Sequence, residues 1–584
     1  MVGGRDRPLA RRAVGALLTA ASAFAAPPLA GQGRADLIVT EGVIHTVDSA
    51  APRAEAMAVS NGVIVAIGSA DAIERYRGPE TSVIDLEGRA VVPGLIDAHA
   101  HVMNLGKFLR TVDLIGTTGV EEIAARVREA AADRPAGEWI LGRGWDQNDW
   151  AVKEFPTAAA LDGAAPDHPV WLTRVDGHAG WASSRAMELA GITAATPDPE
   201  GGRIVRDEAG NATGVFIDNA EDLVDAAIPP PGPEELAARL AAAQDRMVSV
   251  GLTGVHDMGT EVEEVELFRE WAEAGRLVPR IVSYLDSSDT TLMGALDSIA
   301  AAESASPGDR FRIRGVKFYS DGALGSRGAA LLEPYSDDPG NEGLLVTPPD
   351  ALEAGVARAV GLGLQPAIHA IGDRGNRLAL DAIAAAEAVA GGVTDARPGA
   401  SSLSYYAPAA RIEHAQVVAL EDIPRFAELD VIASMQPTHA TSDMYWAEDR
   451  LGPDRIRGAY AWRKMLDAGV PLACGSDFPV ESPNPFHGLY AAVTRQDQEG
   501  WPDGGWRSEE RLTREEALAC FTRWAADAAG MEDEVGALVV GRRADFLVLD
   551  RDLMQVPEEE IWRTRVLRTV IDGETVYEAS PATE

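Results

Sequence analysis

The stretch Pro93-Gly94-Leu95-Ile96-Asp97-Ala98-His99-Ala100-His101 governs how the rest of the chain reads. An apolar run introduced by Pro-Gly predicts a buried strand, and the i, i+2 spacing of His99 and His101 puts both imidazoles on one face of it. Two neutral imidazoles on one face chelate a divalent ion such as zinc. Alone, the pair is a weak signal, since a polar loop carries such spacing by chance. Downstream, apolar strand-like runs alternate with Ala-rich helical stretches, the pattern of a parallel sheet or barrel. Eight candidate strands begin near Leu95, Thr253, Arg280, Arg312, Leu364, Ala410, Asp430 and Pro471. Eight such units predict an α/β fold, a (β/α)8 TIM-type barrel, with its active site at the C-terminal strand ends.

Those strand ends carry the chemistry. His369 ends Gln365-Pro366-Ala367-Ile368, His414 ends Arg411-Ile412-Glu413, and Asp477 ends Leu472-Ala473-Cys474-Gly475-Ser476. The order is His-x-His on the first strand, His on the fifth, His on the sixth and Asp on the eighth. The whole chain holds 10 histidines, so chance does not explain this placement. Lys317 ends the fourth strand, where an unpaired ammonium facing the interior is costly. Two readings stand for it: a salt bridge to a neighbouring acid, or a desolvated neutral amine that takes up carbon dioxide as a carbamate bridging two cations.

Outward from the barrel, short alternating strands with turn signals fill residues 31–92 and return over 536–584, predicting one composite β-sandwich built from both chain ends. The barrel then spans 93–535. Residues 106–250 exceed one βα unit and predict an insertion over the barrel mouth. At the N-terminus, Arg5, Arg7, Arg11 and Arg12 precede an apolar run from Ala13 to Ala26, with small residues around Ala23 to Ala30. Residues 1–30 therefore read as a signal peptide, and an exported protein, periplasmic or extracellular, is expected. The Arg11-Arg12 pair hints at twin-arginine export.

A formal charge of −39 over 584 residues repels nucleic acid and anionic membranes, which excludes polyanionic partners. A small-molecule substrate is the expected partner, with no membrane association after signal removal, and a homo-oligomer is compatible with the composition. Two cysteines, Cys474 and Cys520, give no disulfide framework. Cys474 lies three residues before Asp477 and so faces the helix layer if Asp477 faces inward. With Cys520 on the next helix close by, both read as packing thiols.

The segments from Pro93 to His101, Glu413-His414-Ala415 and Gly475-Ser476-Asp477-Phe478-Pro479-Val480 resemble the amidohydrolase superfamily. More narrowly, Gly144-Trp145-Asp146-Gln147-Asn148-Asp149-Trp150, Asp176-Gly177-His178-Ala179 and Lys317 through Arg327 resemble amidohydrolase family 3, the branch that includes N-substituted formamide deformylases. The resemblance covers nearly everything after residue 30. It implies that His99, His101 and Asp477 hold the more buried metal and that His369 and His414 hold a second. A carboxylated Lys317 would bridge the two, which makes two zinc ions and one carbon dioxide the expected cofactors. It also suggests a substrate or oxyanion contact for His178, against a plain loop histidine.

Trp145, Asp146 and Trp150 are candidates for the pocket wall, against packing roles. Asp321 and Arg327 either orient Lys317 or bind substrate. His256 ends the second strand and His439 follows the seventh, so either can line the pocket, while His45, His168 and His487 have no comparable support. The expected reaction is cleavage of a non-peptide C–N bond in an amide, formamide or cyclic amide. A metal-activated hydroxide attacks, and Asp477 acts as general base and then general acid. The alternatives are an amino-heterocycle deaminase with a single metal and an exported metal- or solute-binding protein without turnover.

Overall fold

The computed structural model describes residues 33–580 apart from 133, 148–149, 175–178, 200–201, 219, 306–307 and 392–408. Residues 1–30 and His178, read above as signal peptide and substrate contact, lie outside the described residues.

Eight strands form one all-parallel sheet in chain order. They are β1 (Leu95–Ala100), β2 (Leu252–Thr260), β3 (Arg280–Asp286), β4 (Phe311–Tyr319), β5 (Gln365–Ala370), β6 (Arg411–His414), β7 (Ile432–Met435) and β8 (Leu472–Cys474). Just past β8 the chain pairs with β1: the Asp477 amide donates to the His99 carbonyl at 2.8 Å, and the His101 amide to Phe478 at 3.0 Å. That pairing brings the two ends of the sheet together. Ile96, Ala98, Met258, Val282, Tyr284, Ala367, Ile432 and Ala473 fill the interior and rest on the helix Arg523–Ala528, so the barrel is a packed core. The opposite strand faces pack against the surrounding helices in a larger apolar layer.

The composite domain is present as two sheets. One runs Val63–Gly68, Ala56–Ser60, Leu37–Thr40, Ser82–Asp85. The other joins both chain ends, with Phe546–Leu549 antiparallel to Ala90–Pro93. Leu37, Val59 and Ile64 share a buried core with Phe546, Val548 and Val570. Arg280 anchors this domain to the barrel floor, bonding Asp545 and Asp572 from a position only 3% exposed. Within 106–250 lies a six-stranded mixed sheet spanning Val112 to Asp218. The helix Pro233–Ser249 does not belong to it. That helix packs beside Val102–Arg110, held by Arg110 to Glu235, so the inserted unit ends before residue 233. Among the described residues no helix is long and apolar enough to cross a membrane.

The two cysteines are not separate packing thiols. Cys474 does face the helix layer, and there it forms a disulfide with Cys520 on the helix Arg514–Cys520. Strand alternation correctly predicts the proximity but not the bond. A crosslink closing a sequence separation of 46 restricts the unfolded chain. Replacing both cysteines with alanine is expected to lower unfolding free energy by about 2–4 kcal/mol, read by denaturant melts, and unchanged stability would contradict this.

Candidate metal centre

Strand alternation brings some of the polar residues inward and would leave others out. On β4 and β5, Lys317 and His369 continue the inward positions set by Gly315 and Ala367. On β1 the inward residues Ile96 and Ala98 would leave His99 facing out. The pairing with β2 shifts between Val255–Asp97 and Asp257–Ala100, one extra residue on β1, and beyond this bulge His99 and His101 point into the mouth. On β6 the inward positions are Arg411 and Glu413, and His414 enters through a left-handed backbone, φ 71°. Asp477 does the same at φ 61°. Non-glycine residues rarely adopt this region, and such strain gathers at functional sites. Gly475 allows the close approach of β8 to β1, since a Cβ there would lie 2.4 Å from the His99 nitrogen.

Ligand-type atoms of His99, His414 and Asp477 lie within 4.8 Å of one another, and all three residues are buried. Asp477 Oδ1 is 3.1 Å from His101 Nε2 and 3.5 Å from His99 Nε2. The His369 ring sits 4.5 Å from that of His414, although its Nε2 is turned toward Asp321 at 3.9 Å. Lys317 is 1% exposed and electrostatically coupled to His99, His101, His369 and His414. Among the described residues no acid lies within 4.0 Å of its ammonium, so the salt-bridge reading of Lys317 finds no partner there.

The model of the amidohydrolase family matches residues 82–577. The chain belongs to the amidohydrolase family. It is 35% identical over 556 residues to Protein LONG AFTER FAR-RED 3 of Arabidopsis thaliana, covering 93% of this chain and 92% of that one. It is 29% identical over 560 residues to the N-substituted formamide deformylase of Arthrobacter pascens, covering 93% and 98%. Among solved structures, an uncharacterized metal-dependent hydrolase from Pyrococcus furiosus matches with a TM-score of 0.72 at 30% identity, covering 89% of this chain and 100% of that one.

The donors of this amidohydrolase fit a metal. Burial and the Lys317 charge push His99 down to about 4 and His369 to about 3, and burial drives His414 well below its ordinary value. All three imidazoles are neutral at pH 7, the form that ligates. His99 Nδ1 bonds Glu413 Oε2 at 2.7 Å, and His414 Nδ1 bonds Gln436 Oε1 at 2.8 Å, leaving both Nε2 lone pairs free for an ion. Burial raises Asp477, but the His101 ring, itself raised and 3.1 Å from Oδ1, outweighs it and holds the carboxylate well below the usual range. Burial also lowers Lys317 to about 8, which makes its neutral amine accessible.

Beneath the ring lies a buried charge pair to which the sequence pattern gives no role. Arg411 and Glu413 are both 0% exposed and bond at 2.9 Å. Arg411 also reaches Tyr284, Ser434, His256 and the Ala98 carbonyl. Burial alone would raise Glu413, but Arg411 and His99 hold it far below the carboxylate range, so it stays ionised against His99. The available signal was alternation: two charges at inward positions of a strand that ends in a histidine. Arg411→Met strands Glu413 as an unpaired buried charge, and a loss of about 3–5 kcal/mol is expected in denaturant melts. A loss under 1 kcal/mol would show that the pair is not structural.

Trp145, Asp321 and Arg327, expected at the substrate, make contacts within the scaffold. Trp145 is fully buried, donates to the Leu172 carbonyl at 2.7 Å, and packs with Trp150 and Trp181 in the core of the inserted sheet. The wall role for Trp145 and Trp150 gives way to packing. Asp146 is half-buried at the end of the strand Ile140–Trp145. Asp321 accepts from the amides of Ala330, Ile371 and Gly372, so it clamps the loops after β4 and β5 beside His369 instead of meeting substrate. Arg327 forms a two-pronged pair with Asp337 through Nε and Nη2.

Proposed function

We propose that this amidohydrolase is a metal-dependent enzyme that hydrolyses a non-peptide C–N bond, in an amide, formamide or cyclic amide, of a small molecule. The observation that carries this reading is Asp477, an ionised carboxylate at the barrel mouth whose Oδ1 faces two of the candidate ligands. His99, His101 and Asp477 would hold one divalent ion and His369 and His414 a second, zinc in both cases, with carboxylated Lys317 between them. Such ions supply Lewis acidity and a water of lowered pKa. Asp477 takes a proton from the attacking water and delivers it to the departing nitrogen, a step amide cleavage requires because an amine anion is a poor leaving group. Glu413 fixes the His99 ring, and Asp97, accepting from Ser476 and from the His99 amide, ties β8 to β1.

The relatives favour the formamide branch of this class, since one of them is an N-substituted formamide deformylase. Screening zinc-loaded protein against N-formyl, N-acyl, cyclic amide and amino-heterocycle panels tests it. Hydrolysis of an N-substituted amide that disappears after chelation is expected. Turnover confined to amino-heterocycles, with one ion per chain, would assign a deaminase instead. The proposed location is outside the cytoplasm, and the Cys474–Cys520 disulfide supports it because such bonds persist in oxidising compartments.

A further inference from the structure

His439 stands outside the proposed ligand set, on the helix Pro437–Asp443 that follows β7. Its ring stacks on His414, planes 13° apart and centroids 5.9 Å apart. Its Nε2 is buried and has no hydrogen-bond partner among the described residues. The neighbouring acids do not supply one. Asp477 Oδ2 lies 3.7 Å away, beyond hydrogen-bond reach. Asp443, one helical turn on, is committed to Tyr460 at 2.6 Å and Gln416 at 3.0 Å. A buried polar atom left unpaired is costly, so its persistence beside Asp477 calls for an occupant.

The two oxygens of Asp477 differ in a way that identifies that occupant. Oδ1 faces His99 and His101, whereas Oδ2 faces His439. A gap of 3.7 Å between Oδ2 and Nε2 is too long for a direct bond. One heteroatom set beside the gap can sit about 2.9 Å from both, an ordinary hydrogen-bond distance to each. The proposed proton delivery puts a substrate atom within reach of Asp477, so the same atom, or one bonded to it, meets His439.

We infer that His439 is a further catalytic residue, whose Nε2 hydrogen-bonds the cleaved amide group of the substrate as Asp477 Oδ2 exchanges its proton with it. This rests on the hydrolase reading above and adds a group to it. His439 does not hold metal. Its Nε2 meets the reacting group on the Oδ2 side of Asp477, whereas His99 and His101 face Oδ1, and it selects substrates whose amide or tetrahedral head leaves a nitrogen or oxygen free to reach it.

Side-chain amides separate this role from a structural one. A glutamine amide reproduces the reach of Nε2, whereas an asparagine amide reaches only as far as Nδ1. His439→Gln, His439→Asn and wild type are loaded with zinc and compared for metal content, melting temperature and binding of methylphosphonate, a tetrahedral oxyanion probe, by calorimetry. The expected result is equal zinc content in all three, near-wild-type binding by His439→Gln, and binding weakened roughly ten- to hundredfold in His439→Asn. Turnover of whichever amide the screen identifies should follow the same order. Loss of zinc from both variants would make His439 a ligand and overturn the inference, as would equal methylphosphonate affinity in Asn and wild type. A wild type that binds no zinc would instead sink the hydrolase reading itself.

Discussion

Asp477→Asn lowers turnover by about two to four decades while leaving the fold and most of the metal in place. Asparagine matches aspartate in shape, and its carbonyl oxygen can still face His99 and His101, which approach Oδ1 at 3.5 Å and 3.1 Å. What it loses is a basic oxygen. The Asp477 carboxylate is held well below the usual range against the opposing effect of burial, so it is ionised at neutral pH, the state from which a proton released by the attacking water can be accepted. Two nearby carboxylates are committed elsewhere: Glu413 is buried against His99 and Arg411, and Asp321 accepts from three backbone amides. The drop should therefore fall on kcat, with zinc content near that of the wild type. Wild-type turnover in this variant would remove Asp477 from proton transfer.

Lys317→Ala is expected to abolish metal binding and activity together. The side chain is 1% exposed, and among the described residues no acid pairs with it, so the substitution removes a buried charge that contributes no ion pair. The fold is expected to survive with only a cavity-sized loss, about 2–5 kcal/mol at most. The two halves of the ligand set, His99, His101 and Asp477 on one side and His369 and His414 on the other, would lose the group that joins them. Short carboxylic acids such as acetate or propionate should restore part of the activity by placing a carboxylate where the proposed carbamate would stand. Full activity with metal bound would show that Lys317 is no ligand.

Much of this was legible in sequence because the barrel imposes simple rules. Strand starts read from apolar runs fall within two residues of those in the structure, as Thr253 against Leu252 and Asp430 against Ile432 show. Lys317 and His369 were readable from alternation alone. His99, His414 and Asp477 were readable only by their place at strand ends, since a bulge and two left-handed residues turn them inward, and neither feature has a signature in residue type. The inserted sheet hid its own logic. Trp145 and Trp150 look like pocket aromatics in sequence, but they pack with Trp181, whose partnership depends on a strand pairing that no local pattern specifies. The disulfide escaped for a similar reason: two cysteines at a separation of 46 carry no spacing motif, and only the packing of one helix on β8 joins them.

Zinc-edge anomalous diffraction from crystals grown with zinc tests most directly whether these side chains form one metal centre. Two anomalous peaks are expected inside the ring. One should lie about 2.0–2.2 Å from donor atoms of His99, His101 and Asp477, the other at similar distance from His369 and His414, with density joined to Lys317 between them. A protein that hydrolyses its substrate with no anomalous signal in that ring, or with zinc bound at other residues, would contradict the account.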